Sequence, residues 1–183
     1  MKSNIFLTAD LHLGHKNIIT YSKRPFTTVE EMDKVLIANW NSKVKPGDTI
    51  YHVGDFAYGK SNNIEAYIRR LKGKIVFILG SHDRELVRAL KKRQWKVHPS
   101  LMIKEYGEEI FLAHHAHRVW PKSHYGTIHG FGHSHGCLPD YRLSTDVGVD
   151  NNNLFPVNVL DIIERMKPIR EQLLKDGLIL KGK

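Results

Sequence analysis

Three times within its first 83 residues the chain runs through a short apolar stretch and then stops on glycine, aspartate or histidine. "NIFLTA" (4–9) leads into Asp10-Leu11-His12, "TIYHV" (49–53) into Gly54-Asp55, and "KIVFIL" (74–79) into Gly80-Ser81-His82-Asp83. Helical signals lie between and after these runs. Thr28 and Glu31 make a capping box, followed by Val29, Met32, Leu36 and Trp40 near helical spacing, which predicts a helix through about Trp40. "NNIEAYIRRLKG" predicts a second helix closed by Gly73, and "RELVRALKKR" a third with a basic outer face. Strand and helix in alternation imply right-handed crossovers and a largely parallel sheet. The fold class is therefore α/β. At 183 residues the chain suffices for one domain with a real core and is short for two, so residues 1–183 are expected to form a single domain.

The second half changes character. "LMIKEYGEEIFLAH" predicts a hairpin turning at Gly107 and ending on His114-His115. "GTIHGFGH" and "LSTDVGVD" predict further strands, the first delivering Gly132-His133-Ser134-His135. The segment "LDIIERMKPIREQLLKD" predicts a terminal helix interrupted near Pro168. The second half is thus expected to add antiparallel strands to a mixed architecture.

In open α/β sheets, ligands gather beyond the carboxyl ends of the strands. Five polar fragments fall where five strands should end, and together they are rich in carboxylate and imidazole. Of 12 histidines, seven lie between positions 114 and 135, and imidazole is the commonest protein metal ligand near neutral pH. If these fragments are extended, alternate residues point the same way, so Asp10 with His12, and His133 with His135, would each converge. Mixed carboxylate and imidazole donors suit zinc, manganese or iron better than magnesium or calcium alone. Glycines 54, 80 and 132 would let the backbone turn sharply from strand to loop.

Composition excludes several alternatives. A single cysteine, Cys137, rules out an intramolecular disulfide and a cysteine-built zinc site. No segment approaches the ~20 apolar residues of a membrane helix, and "MKSNIFLTAD" is interrupted too early for a signal peptide, so a cytoplasmic location is expected. The net charge of +9 favours anionic partners, phosphate esters and nucleic acids among them.

The series Asp10-x-His12, Gly54-Asp55, Gly80-Ser81-His82-Asp83, His114 and Gly132-His133-x-His135 resembles the calcineurin-like metallophosphoesterase superfamily, especially its small single-domain bacterial and phage members. The resemblance runs from about residue 5 to 160 and includes "KRPFTTVEEMDKVLIANWN". It implies a two-sheet mixed β sandwich flanked by helices, with two divalent cations. One would take Asp10, His12 and His135, the other residue 81, His114 and His133, with Asp55 bridging. His114 is preferred to His115 because the family's ligand directly ends the apolar run, and His115 and His117 would either line the cleft or, as is preferred, face solvent. The family chemistry is phosphoester hydrolysis by a metal-bridging hydroxide, with His82 assisting the leaving group and Asp83 orienting its ring.

One position departs from the pattern. Where the family has Gly-Asn-His-Asp, this chain has Ser81, whose hydroxyl is shorter than a carboxamide and a poorer ligand. A weakened second cation position is the expectation. Arg24, in "SKRPF", is a candidate to grip a substrate phosphate. His15, His52 and His129 are candidates to support the ligands, the last two more simply read as hydrogen-bonded core histidines, while Asp146 and Asp150 are read as turn anchors. The leading functional expectation is a phosphodiesterase acting on a phosphate ester, with nucleotides or nucleic acid as possible substrates and no protein partner evident. A phosphomonoesterase and a catalytically weak scaffold keeping the same fold are the alternatives.

Overall fold

A computed structural model of the chain describes residues 3–92 and 94–180; the last residue of "RELVRALKKR", Arg93, lies outside them. The three apolar runs form β1 (Ile5–Thr8), β2 (Thr49–Val53) and β3 (Lys74–Ile78). They lie side by side and parallel. Two short strands, β4 (Val97–His98) and β9 (Val157–Asn158), flank them in the order β4-β3-β2-β1-β9, with β9 antiparallel to β1. The second sheet, in the order β5-β6-β7-β8, contains β5 (Ser100–Glu105), β6 (Glu108–Ala113), β7 (Ile128–Phe131) and β8 (Ser144–Asp146).

Residues of β1 alternate between two apolar cores, as the two-residue period of a strand requires. Ile5 and Leu7 point between the sheets, against Ile110, Leu112, Ile128 and Val147. Phe6 points the other way, into a core with Ile50 and Phe77 of the neighbouring strands. That outer core is closed by α2 (Val29–Lys43), α3 (Ser61–Arg70) and α4 (Arg84–Lys92) through Met32, Leu36, Trp40, Ile64, Leu86 and Leu90. Burial on both faces explains why the three runs are continuously apolar. Thr28 caps α2 as its sequence predicts, accepting from the Glu31 N–H at 3.2 Å.

Two expectations need correction. The hairpin β5–β6 is antiparallel, but β6–β7 and β7–β8 are parallel. Residues 114–127 hold only a short 3-10 turn, Ser123–Tyr125, and carry the chain back across the sheet instead of reversing it in a tight loop. The terminal helix α5 (Val159–Lys175) runs through Pro168 without interruption. It buries Val159, Ile162, Ile163 and Met166 before the proline and Leu173 after it; this packing outweighs a proline cost of ~3 kcal/mol. A short helix, α1 (Lys16–Tyr21), has no side-chain cap and buries only Ile18, so its sequence carries little helical signal.

Candidate metal centre

The loops after β1, β2 and β3 meet at one edge of the first sheet, beside the loop after β7. Backbone bonds lace them together: the N–H groups of Asp10 and His12 donate to the carbonyls of Gly54 and Asp55 at 3.0 Å, and Gly132 N–H donates to His114 at 2.9 Å. The convergence of these candidate donor residues does not come from extended segments. Asp10, His12, Asp55, His133 and His135 all have φ between 47° and 67°, in the left-handed region. Such backbone is costly for residues with a Cβ and gathers at functional sites. Each left-handed residue swings its side chain out of the strand's alternation, and His133 and His135 consequently go to different places.

Two glycines make this crowding possible for different reasons. Gly54 has φ +89°, and a Cβ there would stand 2.3 Å from His114 Nδ1. Gly80 needs no left-handed φ; its Cβ would lie 2.1 Å from the Asp55 nitrogen and 2.3 Å from Asp55 Oδ1. The expected role of Gly80 as a sharp turn is therefore replaced by close approach of two loops.

Three groups of donor atoms result. Within each of Asp10/His12/His135, Asp10/Asp55/His114 and His114/His115/His133, one donor atom per residue lies within 4.8 Å of the others. Asp10 belongs to the first two groups and His114 to the last two, so the three form one continuous centre. Asp55 Oδ2 lies 3.6 Å from His12 Nε2 and 3.3 Å from His114 Nε2, between the two ends. The structure thus brings together Asp10, His12, Asp55, His114, His133 and His135. Ser81 is exposed at the rim, with its Oγ 3.5 Å from His115 Nε2.

Electrostatics follow from this packing. Burial pushes the Asp10 carboxyl up to about 7, against the pull of His114 and His135. Burial likewise takes the His12 imidazole down to about 3. At His114 burial opposes protonation, but the neighbouring Asp55 and Asp10 carboxylates overcome it and raise the ring to about 9. Burial also works against ionisation of Asp55, and the facing His114 reverses this, holding Asp55 well below the usual carboxylate range. A cation entering here must displace protons, so its affinity rises with pH.

A second layer holds the donors. Asp150 Oδ2 accepts from His135 Nδ1 at 2.7 Å, which leaves Nε2 of that ring for the centre. Asp150 is in turn bound by Arg24, Nε to Oδ1 and Nη2 to Oδ2, both at 2.8 Å. The same guanidinium donates to the Asp10 carbonyl at 2.6 Å, the Leu11 carbonyl at 2.9 Å and Met32 Sδ at 3.4 Å. All five guanidinium N–H donors are engaged inside the protein, and Arg24 is only 5% exposed. The expectation that it grips substrate phosphate therefore fails; it braces the first ligand loop against Asp150. Asp150 is likewise more than a turn anchor, whereas Asp146 is one, accepting from Gly136 and Gly148 N–H at 2.9 and 2.7 Å.

Asp83 also differs from expectation. Its fully buried carboxylate accepts from the backbone N–H groups of Asp55, Phe56 and Gly80 at 2.8–2.9 Å, and no hydrogen bond joins it to the His82 ring. Asp55 Oδ1 reciprocates by accepting from His82 N–H at 2.8 Å. Asp83 thus clamps the loop bearing Asp55 to the loop bearing His82. The His82 ring itself lines an open cleft of about 440 Å³ with His12, His15, Asp55, His133 and His135. His15 stands 3.4 Å from His12, Nδ1 to Nδ1, and stacks on Tyr58 at 4.7 Å. His129 is a hydrogen-bonded core histidine as expected, but both ring nitrogens of His52 are buried without a partner. His117 is exposed as expected; His115 is exposed too, yet it joins the donor cluster.

Comparisons with known proteins agree with this geometry. The family profile described as calcineurin-like phosphoesterase matches residues 3–180. The uncharacterized protein MJ1445 of Methanocaldococcus jannaschii is 35% identical over 179 residues, covering 91% of this chain and 94% of that one. The gene 66 protein of Mycobacterium phage L5 is 37% identical over 84 residues, 44% of this chain and 40% of that one. Among solved structures, the protein of unknown function AQ665 from Aquifex aeolicus superposes with a TM-score of 0.71 at 21% identity, over 90% of this chain and all of that one. Among the described residues, no helix is long and apolar enough to cross a membrane.

Proposed function

We propose, from the premise that the chain belongs to the calcineurin-like phosphoesterase family, that it is a two-metal phosphodiesterase. One observation carries the metal reading. Asp10 Oδ1 and His12 Nε2 are buried without a hydrogen-bond partner, His114 Nε2 faces only Asp55 Oδ2 at 3.3 Å, and all three residues belong to the shared donor clusters. Two orphaned buried acceptors beside a buried imidazole–carboxylate pair would be a heavy penalty in a site with no other purpose. The donors fit divalent cations: Asp10, His12 and His135 at one position, His114 and His133 at the other, Asp55 between. Their mixture of imidazole and carboxylate favours manganese, zinc or iron. When bound, such cations supply Lewis-acid charge to phosphate oxygens and make a water nucleophile available near neutral pH.

The chain's own residues do the rest. His114 Nδ1 stands 3.0 Å from the Val53 carbonyl, a bond that fixes the ring and turns Nε2 toward the centre. His82 is exposed in the cleft and free to hand a proton to the departing oxygen. Preference for diesters is supported by the shape on either side of His82. The 440 Å³ cleft lies on one side, and a groove of about 550 Å³ with Lys60, Arg84 and the Arg88–Glu85 pair lies on the other. A phosphate at the centre has room for two ester substituents, and the basic groove suits a nucleotide or nucleic-acid chain.

The test compares kcat/KM for bis(p-nitrophenyl) phosphate, p-nitrophenyl phosphate and a series of aryl phosphodiesters with progressively more basic leaving groups, with manganese, in this chain and in His82→Ala. The diester should be preferred, and His82→Ala should lose more activity as the leaving group becomes more basic. A preference for the monoester, or a uniform loss across leaving groups, would refute this reading.

A further inference from the structure

We infer that His115, not Ser81, supplies the remaining protein ligand at the second cation position, beside His114 and His133. The inference rests on the metal-centre reading above and sharpens it at the one place where this sequence departs from its family. The His115 and His133 rings each meet the His114 ring face to edge, with centroids 5.0 and 5.1 Å away, and are tilted by 51° to each other at 4.3 Å. One nitrogen from each lies within 4.8 Å of the others.

Three imidazoles held this closely repel one another when protonated and gain nothing as neighbours when neutral, unless a shared cation sits between their lone pairs. Three histidines are a recurrent zinc ligand set. No other described contact explains His115. Apart from the two neighbouring histidine rings, the described side-chain contact of its ring is with the Ser81 hydroxyl, 3.5 Å from Nε2. A hydroxyl at 81 is small enough to leave that imidazole room, and its contact with Nε2 helps to hold the ring. The weakening expected from a serine ligand is therefore offset by a residue 34 positions away, from a different sheet.

Calorimetric titration of metal-free protein with Zn²⁺ tests the inference without reference to turnover. The original chain should bind two ions. His115→Ala should weaken the second by roughly 10–100-fold or more, the loss that even an indirect partner of a ligand produces. Ser81→Ala should still bind two, and adding Ser81→Asn to His115→Ala should restore the second ion by rebuilding the family's own ligand. Nitrogen-15 NMR of the original chain provides a reading that no variant's folding can confuse: one His115 ring nitrogen should shift on zinc addition together with those of His114 and His133. Two ions bound equally well by His115→Ala, loss of the second ion in Ser81→Ala, or an unmoved His115 resonance would overturn the assignment and leave the metal centre standing. Fewer than two ions in the original chain would overturn the metal-centre reading itself, and this inference with it.

Discussion

Arg24→Ala separates a brace from a substrate clamp. The Arg24–Asp150 pair is buried, with side chains 1% and 7% exposed, so solvent screens it little. Removing the guanidinium leaves the Asp150 carboxylate with only His135, and strips donors from the carbonyls of Asp10 and Leu11. Breaking a buried pair by deleting one partner costs ~3–5 kcal/mol. Each stranded carbonyl would add ~1–3 kcal/mol if nothing relaxed, but neighbouring losses are not additive, so ~3–5 kcal/mol is the expected total. Against a typical stability of ~5–15 kcal/mol, that leaves a marginal protein. With a urea m-value of ~2.5 kcal/mol/M, the unfolding midpoint followed by circular dichroism should fall by ~1–2 M. Arg24→Lys should recover little, because an ammonium cannot span Asp150 and two carbonyls at once. A midpoint within ~0.3 M of the original, accompanied by a raised KM for a phosphodiester, would refute the bracing role and restore the clamp.

Asp83→Asn keeps one carboxylate-like oxygen but faces a backbone N–H with an amide donor. It should cost ~2–4 kcal/mol, measured by urea unfolding, and weaken metal binding by loosening Asp55; a loss below ~0.5 kcal/mol would contradict the clamp. His52 gives a pH dependence. Burial holds its pKa at about 3, below its usual 6.5, so the unfolded chain takes up the proton first and stability falls as pH drops from 6.5 toward 3. At ~1.4 kcal/mol per pH unit per proton, His52→Leu should gain up to ~2 kcal/mol relative to the original chain between pH 7 and pH 5. A pH-independent difference in thermal or urea unfolding would refute that assignment.

Much of the fold was legible because three buried strands and their helices each carry a local signal. The apolar runs, the Thr28 cap and the spacing of Met32, Leu36 and Trp40 need no tertiary information. The direction of β7 and β8 was not legible, since parallel pairing depends on where residues 114–127 travel. Nor was the continuity of α5, because apolar packing on both sides of Pro168 decides it. At the centre, residue types at strand ends named the donors, but not the left-handed backbone that aims them. Arg24 and Asp150 are 126 positions apart, and nothing local to either predicts their pairing. The end of the apolar run distinguishes His114 from His115 as the buried ring, but only the fold places both beside His133.

In the proposed function, cations held by these donors drive phosphodiester cleavage. Protein stripped by chelation should be inert toward bis(p-nitrophenyl) phosphate. Activity should rise as manganese is added and level off as two ions per chain bind. Turnover unchanged by chelation, or none at saturating manganese, zinc and iron with two ions bound, would contradict it.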